Sequence, residues 1–407
     1  MNNAISQKAQ NISPSLTLAI TAKANKLKAE GVDVVSFTVG EPDFNTPDFI
    51  VRAAKEALDK GFTRYTAVAG IPQLRQAICD KLARDNGLSY RSNQIVVGSG
   101  AKHSIYNALM AILNDGDEVI IVAPYWLSYP ELITLCGGVP KVIETTAASG
   151  YKLTAEALIK AICTKTKAII LNSPCNPSGV VYTQRELQGL AAVIEKADIY
   201  AISDEIYEKL IYDGVAHYSI ASFSDKLREK TIVVNGVSKA YAMTGWRIGY
   251  TASNGALASS IDNIQSQTTS NANSVAQHAA VVALGSSEGE AFIGQIKGIF
   301  ERRRDLLLSI LDGIGGISYI KPQGTFYVMV NVSGFFGKDL HGVRVKTASD
   351  ISELLVEHAA VVTVPCEAFG APNYIRLSYC LDEKDIKKGA IRLKDFLAHE
   401  LHIYKKQ

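Results

Sequence analysis

The sequence lacks most of the patterns from which chemistry is easily read. Its six cysteines, at positions 79, 136, 163, 175, 366 and 380, include no C-x-x-C pair, which excludes the usual zinc and dithiol motifs. Scattered in this way, they read as the reduced thiols of a cytosolic protein. Its seven histidines include one close pair, His399 and His402, in a polar stretch that reads as a solvated helix end, so no metal is expected. No apolar run approaches the roughly 18 residues of a membrane span, and the N-terminus has no apolar stretch behind a basic start. A cytoplasmic location is expected. There is no charge excess either: 42 basic residues balance 40 acidic ones, for a net charge of +2, leaving no strong field for nucleic acid or an anionic membrane. The dinucleotide pattern G-x-G-x-x-G fails at its last position, where His103 stands in Gly98-Ser-Gly-Ala-Lys-His, and the phosphate loop G-x-x-x-x-G-K-[ST] does not occur. Internal repeats and low-complexity linkers are also missing.

What is present is a chain of 407 residues with 47% hydrophobic composition, ample for a packed core and more than one domain. From about Gln94, short β-branched runs alternate with stretches of helical periodicity, the pattern of a mostly parallel sheet flanked by helices. The predicted strands begin at Gln94, Glu118, Lys167, Ile199, Thr231 and Arg247. Predicted helices include Ser104 to Leu113 and Arg185 to Lys196. After Gly294 a long helix carries Arg302-Arg303-Arg304, read as a wet face paired with Glu301 and Asp305. Strand-like Thr325 to Val330, helix-like Asp350 to His358 and strand-like Tyr374 to Tyr379 follow, suggesting a smaller α+β unit.

Open α/β sheets gather functional residues at the C-terminal ends of their strands, and those ends are polar here. The first is followed by Gly98-Ser-Gly-Ala-Lys-His, a turn that can aim backbone N–H groups at a phosphate. Asn172-Ser-Pro-Cys-Asn-Pro-Ser-Gly, Ser203-Asp-Glu-Ile-Tyr and Gly236-Val-Ser-Lys-Ala-Tyr-Ala-Met-Thr-Gly-Trp-Arg follow later strands. Singly these read as a turn, a helix cap and a surface lysine; together they point to one site.

At these residues the chain resembles the class I aminotransferases of the fold type I pyridoxal-phosphate superfamily, from about Ser13 to the last helix. Ser238-Lys-Ala-Tyr-Ala-Met-Thr-Gly-Trp-Arg-Ile-Gly is the most specific match. The resemblance is strongest to the bacterial aspartate aminotransferase subgroup, some members of which also accept prephenate. It implies that Lys239 carries pyridoxal 5'-phosphate and acts as base, and that Asp204 pairs with the ring nitrogen. Tyr207 and Asn176 would meet the ring's phenolic oxygen, and Trp126 would stack on the ring. Arg247, Ser238, Gly100 and Ala101 would hold the phosphate, with Tyr65 from the other subunit of a homodimer. Arg376 would bind the substrate α-carboxylate, helped by Gly40, Trp126 and Asn176.

An arginine is used in one related subgroup for the distal carboxylate, but none occurs from Ile248 through Glu301. The resemblance points to Lys102 as the substitute cation, with Ser15 and Thr17 of the N-terminal segment as further candidates. The implied organisation is an arm over 1–14, a large cofactor-binding unit over 49–297, and a small α+β unit over 15–48 and 298–407. The expected activity is transfer of an amino group from aspartate or glutamate to a 2-oxo acid. The alternative is another aminotransferase or a lyase on the same scaffold. Ser178, where threonine is usual, and Cys366-Glu367, where a glycine turn is common, depart from the family pattern. The segment from about Gly334 to Thr347 is longer than in compact members.

Overall fold

The structure of the chain, a computed structural model, describes residues 5–10, 12, 13 and 16–404. The β-branched runs assemble into one seven-stranded sheet. Its strands are β1 (Ile95–Gly98), β2 (Glu118–Ala123), β3 (Val139–Glu144), β4 (Thr166–Asn172), β5 (Tyr200–Asp204), β6 (Thr231–Gly236) and β7 (Gly249–Ala252). Their spatial order is β1-β7-β6-β5-β4-β2-β3. All neighbours are parallel except β7, which runs against both β1 and β6.

The pleat sends alternate residues to opposite faces, and both faces are covered. Val119 and Ile121 pack with Ile105, Leu109 and Ile112 of the helix Ala101–Ile112. Ile120 instead joins Leu187, Leu190 and Ile194 of the helix Gln184–Ala197. That second helix starts where it does because Thr183 and Glu186 form a reciprocal capping box. Each fully buried Leu or Ile of these clusters contributes on the order of 2 kcal/mol.

Two readings of the strands change. The edge strand β3, with its partly exposed pattern and Pro140, carries no strong β-branched run and was not expected. The expected strand from Arg247 begins instead at Gly249. Arg247 has φ +57°, a left-handed conformation that cannot continue a strand.

The 25-residue helix Ser287–Leu311 leads to an antiparallel four-stranded sheet ordered Val364–Pro365, Tyr374–Ser378, Tyr327–Asn331, Ser318–Tyr319. Leu307, Leu311, Phe326, Val328, Val330, Ile375, Leu377, Leu393 and Leu397 form its core. The long segment after Gly334 adds a short hairpin, Asp339–Leu340 with Val343–Arg344. Phe335, Leu340 and Val345 anchor it in that core.

The basic triplet is not a wet face. Arg304 is fully buried and Arg303 nearly so, while only Arg302 faces solvent. Arg303 grips Asp43 through two bonds of 2.7 and 2.9 Å. Arg304 does the same to Asp213 at 2.8 and 2.9 Å, and also pairs with Asp305. Planar guanidinium groups fit such bidentate contacts, and a buried charge requires them. Helical spacing alone exposes the local partners Glu301 and Asp305 but not the distant Asp43 and Asp213.

Candidate active site

The C-terminal ends of the sheet strands converge on a cavity of about 400 Å³. The turn after β1 brings Ala101 and Lys102 to its wall, and the segment after β2 brings Trp126 and Tyr129. β4 leads to Asn172 and Asn176, β5 to Asp204 and Tyr207, and β6 to Ser238 and Lys239. Arg247, Gly40, Tyr327 and Arg376 complete the lining.

Lys239 is half-buried, and its Nζ donates to the Gly40 carbonyl at 2.6 Å. Burial, with no carboxylate of the described residues in direct contact, lowers its pKa to about 8. The amine can therefore lose a proton near neutral pH, as a nucleophile or base must. Asp204 is 3% exposed, and burial pushes its carboxyl up to about 6 although hydrogen bonds oppose the shift. Tyr129 donates to its Oδ2 at 2.6 Å, and the Ile206 N–H donates to its Oδ1 at 3.3 Å. Tyr207 is buried, with its hydroxyl 3.3 Å from that of Tyr327.

The next residues along the chain face away from the cavity. Glu205 accepts from Ser203 at 2.8 Å and Ser219 at 2.6 Å and meets His217 Nε2 at 3.1 Å. Glu208 meets the Lys81 ammonium and accepts from Asn86 at 2.8 Å and Asn235 at 2.7 Å. Glu205, Glu208 and His217 are close enough together to suit a metal ion, but Lys81 already supplies a cation there. Burial opposes the Glu208 charge, yet Lys81 and His217 bring its pKa down to about 2. Burial likewise opposes charge on His217, but the Glu205 hydrogen bond and the charges of Glu205 and Glu208 outweigh it and raise its pKa.

At the other end of the cavity, Gly100 has φ +89° and begins the helix Ala101–Ile112. A Cβ on Gly100 would collide with the Arg247 guanidinium, and one on Gly249 with the Ala101 amide. Two glycines thus let an arginine, a backbone N–H and a helix N-terminus meet, a cradle suited to a phosphate. Arg247 donates to the carbonyls of Thr244 at 2.9 Å and Ser99 at 3.3 Å and remains exposed.

Arg376 is 2% exposed and lies over the ring of Tyr327 at 4.2 Å. Its Nη1 donates to Asn176 Oδ1 at 3.1 Å and its Nη2 to the Thr38 carbonyl at 3.4 Å. Its buried Nε has no hydrogen-bond partner among the described residues. Such an orphaned donor suits a carboxylate ligand. Lys102 lies at the exposed rim with Nζ 5.0 Å from the Trp126 ring centroid. Contact with the cavity wall and then the like charge of Arg247 lower its pKa.

The cavity therefore combines a half-buried amine, a buried carboxylate, an anion cradle and an arginine fork. These are the donors that pyridoxal 5'-phosphate and an amino acid carboxylate would need. Of the sequence-derived candidates, Gly40, Ala101, Lys102, Trp126, Asn176, Asp204, Tyr207, Ser238, Lys239, Arg247 and Arg376 line the cavity, and Gly100 supports it. Tyr65 is 89% exposed and is not in the lining. Ser15 and the Thr17 side chain lie outside the described residues. Two lining tyrosines, Tyr129 and Tyr327, had no role in the sequence reading. Tyr129 could have been found from its place three residues after Trp126 at a helix start; Tyr327 carried no signal beyond strand alternation.

The family model for aminotransferase class I and II matches residues 32–393, and the chain belongs to that family. Within it, the chain is 44% identical to an aspartate aminotransferase of Bacillus sp. (strain YM-2), over 98% of this chain and 100% of that one. It is likewise 44% identical to an aspartate/prephenate aminotransferase of Cereibacter sphaeroides, over 95% and 97%. Among solved structures, the aspartate aminotransferase of Rhizobium meliloti superimposes with a TM-score of 0.93 at 40% identity, covering 97% and 98%. That of Thermus thermophilus with maleate gives 0.91 at 40%, covering 97% and 99%. Among the described residues no helix is long and apolar enough to cross a membrane.

Proposed function

We propose that the chain is a pyridoxal-phosphate-dependent aminotransferase that moves the amino group of aspartate or glutamate to a 2-oxo acid such as 2-oxoglutarate, with prephenate as a further acceptor. The donor leaves as its oxo acid before the acceptor enters, a ping-pong sequence. The observation that carries this reading is the convergence of Lys239, Asp204 and Arg376 on one cavity, in a chain whose relatives carry those names over nearly their whole length.

When bound, the cofactor accepts the electrons of the bond broken at the substrate α-carbon and stores the amino group between half-reactions. Lys239 would hold it covalently and, when displaced, move the α-proton; its pKa of about 8 suits both tasks. Asp204 would keep the ring nitrogen protonated by presenting a buried negative charge. Tyr207 and Asn176 would meet the ring's phenolic oxygen, and Trp126 its face. Gly100, Ala101, Ser238 and Arg247 would bind the phosphate. Arg376, with Asn176 and Gly40, would fix the α-carboxylate, and its fork selects a planar anion. Lys102 would meet the distal carboxylate, which cannot be buried unpaired; Ser15 and Thr17 remain candidates beside it.

The same reading includes a homodimer in the cytoplasm. Its support is the exposure of Leu58, Phe62 and Tyr65 at 52, 42 and 89% and the openness of the cavity at Arg247. Residues 49–297 would hold the cofactor, 15–48 with 298–407 the substrate side, and 1–14 an arm. Purified protein given pyridoxal 5'-phosphate, L-aspartate and 2-oxoglutarate should produce oxaloacetate and glutamate in equal amounts. Release of ammonia or loss of the β-substituent without glutamate formation would assign a lyase instead.

A further inference from the structure

Tyr129 is nearly fully buried in the first turn of the helix Ser128–Leu135. Its hydroxyl donates to Asp204 Oδ2 at 2.6 Å, within the range of charge-assisted bonds. Its ring meets Trp126 edge-on, with centroids 5.4 Å apart and planes at 88°. Burial and the adjacent Asp204 charge raise the phenol's own pKa well above its ordinary value, so it stays a donor throughout the working pH range. Among the described residues the Asp204 carboxylate accepts one other hydrogen bond, the longer 3.3 Å contact from the Ile206 N–H. Lys239 favours the carboxylate's charge and Glu205 opposes it; Cys175 and Tyr207 lie close by and stay neutral, their pKa values raised chiefly by burial.

We infer that Tyr129 is a positioning residue for the reaction: its phenol holds the Asp204 carboxylate charged and in one orientation for the cofactor's ring nitrogen, and ties that anion to the Trp126 wall. A carboxyl that burial alone pushes upward is otherwise poised to take up a proton in the cofactor-free protein, and a protonated Asp204 cannot serve the ring nitrogen. The phenol shifts that balance toward the anion because a hydrogen bond donated to the charged form favours it. The proposal rests on the assignment of Asp204 to the ring nitrogen, so its test separates the two.

The test measures the dissociation constant of pyridoxal 5'-phosphate from the cofactor-stripped protein between pH 5 and 8. Four proteins are compared: the unaltered chain, Tyr129→Phe, Asp204→Asn, and the double variant. Losing a charge-assisted hydrogen bond should move the acid limb of Tyr129→Phe up by about one pH unit and weaken binding about tenfold near pH 6. In the Asp204→Asn background the same substitution should change binding by less than about twofold, because the group it acts through is gone. Titration of the ligand phosphate is common to all four proteins, and any effect of Asp204→Asn on Lys239 is shared by the two proteins that carry it, so both cancel when Tyr129→Phe is compared within each background.

If Asp204→Asn binds the cofactor as well as the unaltered chain, the assignment of Asp204 falls. If Asp204→Asn weakens binding but Tyr129→Phe leaves the limb in place, or costs as much in the Asp204→Asn background, the inference about Tyr129 falls alone. Should Tyr129→Phe not fold, Tyr129→4-aminophenylalanine puts a weaker donor in the same place. The limb should then move by about half as much, and an unmoved limb overturns the proposal.

Discussion

Arg376 Nη1 and Asn176 Oδ1 are joined at 3.1 Å across 200 residues of sequence, tying the antiparallel sheet to the loop after β4. The bond holds the guanidinium in place before any ligand arrives, and stacking on Tyr327 limits its remaining freedom. Arg376→Lys should therefore lower kcat/KM for aspartate and alanine alike by about 2–3 kcal/mol, since a lysine keeps the charge but loses the fork. Steady-state kinetics with both donors checks this; a loss confined to aspartate would move Arg376 to the distal carboxylate.

Lys102→Ala should instead discriminate. We expect kcat/KM for aspartate to fall by about 2 kcal/mol or more while alanine is spared, as for the loss of one charge-assisted contact. An equal loss for both donors would assign Lys102 to the phosphate or to the fold.

Lys239→Ala should abolish transamination while leaving the fold intact. Borohydride treatment of the unaltered holoprotein should fix the cofactor to this lysine, read by peptide mass spectrometry. The apo-protein should also gain stability from the substitution at neutral pH. Because the folded pKa of about 8 lies below the unfolded value, Lys239 destabilises the fold below pH 8. That penalty fades as pH rises toward the unfolded pKa, roughly 10.4. A lower Tm for Lys239→Ala at pH 7 would contradict this.

His217→Gln should cost about 1–3 kcal/mol of unfolding free energy at pH 6, from the buried bond to Glu205. The folded pKa of His217 is raised, so its contribution is complete below the unfolded value near 6.5 and is lost as pH rises through the folded one. Glu208 behaves oppositely: its pKa of about 2 means stability present above roughly 4.3 and lost as pH falls toward 2. Denaturant titrations at pH 6 and 9 should show the His217→Gln deficit shrinking at the higher pH.

Tyr65→Phe should mainly weaken cofactor retention, and sedimentation at assay concentration should give a dimer. A fully active monomer would remove Tyr65 from the site.

Much of the cavity lining was legible in the sequence because the chemistry proposed for it restricts residue type. Few side chains can replace Lys239, Asp204 or the Arg376 fork, and the strand ends that carry them follow β-branched runs. Tyr129 and Tyr327 were not legible, because a buried tyrosine beside a polar partner reads in sequence as core. The same limit hid the pairing of Arg303 and Arg304 with Asp43 and Asp213: periodicity reports a residue's own helix and says nothing of what the rest of the chain brings to it. The edge strand β3 escaped because it is half-exposed, and β7 was placed two residues early because a left-handed arginine leaves no trace in composition.

The alternation at the end of β5 carries a further consequence. Asp204 faces the cavity, while Ser203 and Glu205 face the Lys81 and His217 side. A single-residue deletion within β5 would break this division, bringing the longer Glu205 to the cavity position, Asp204 to the place of Ser203 and Ile206 to the place of Glu205. The cavity position would still hold a carboxylate, and net charge and hydropathy would barely register the change. Tyr129 would nevertheless face a different anion, and His217 would lose its partner. The parity of this strand, invisible to any measure of residue type, is therefore as much a condition of the proposed activity as the proposed role of the aspartate itself.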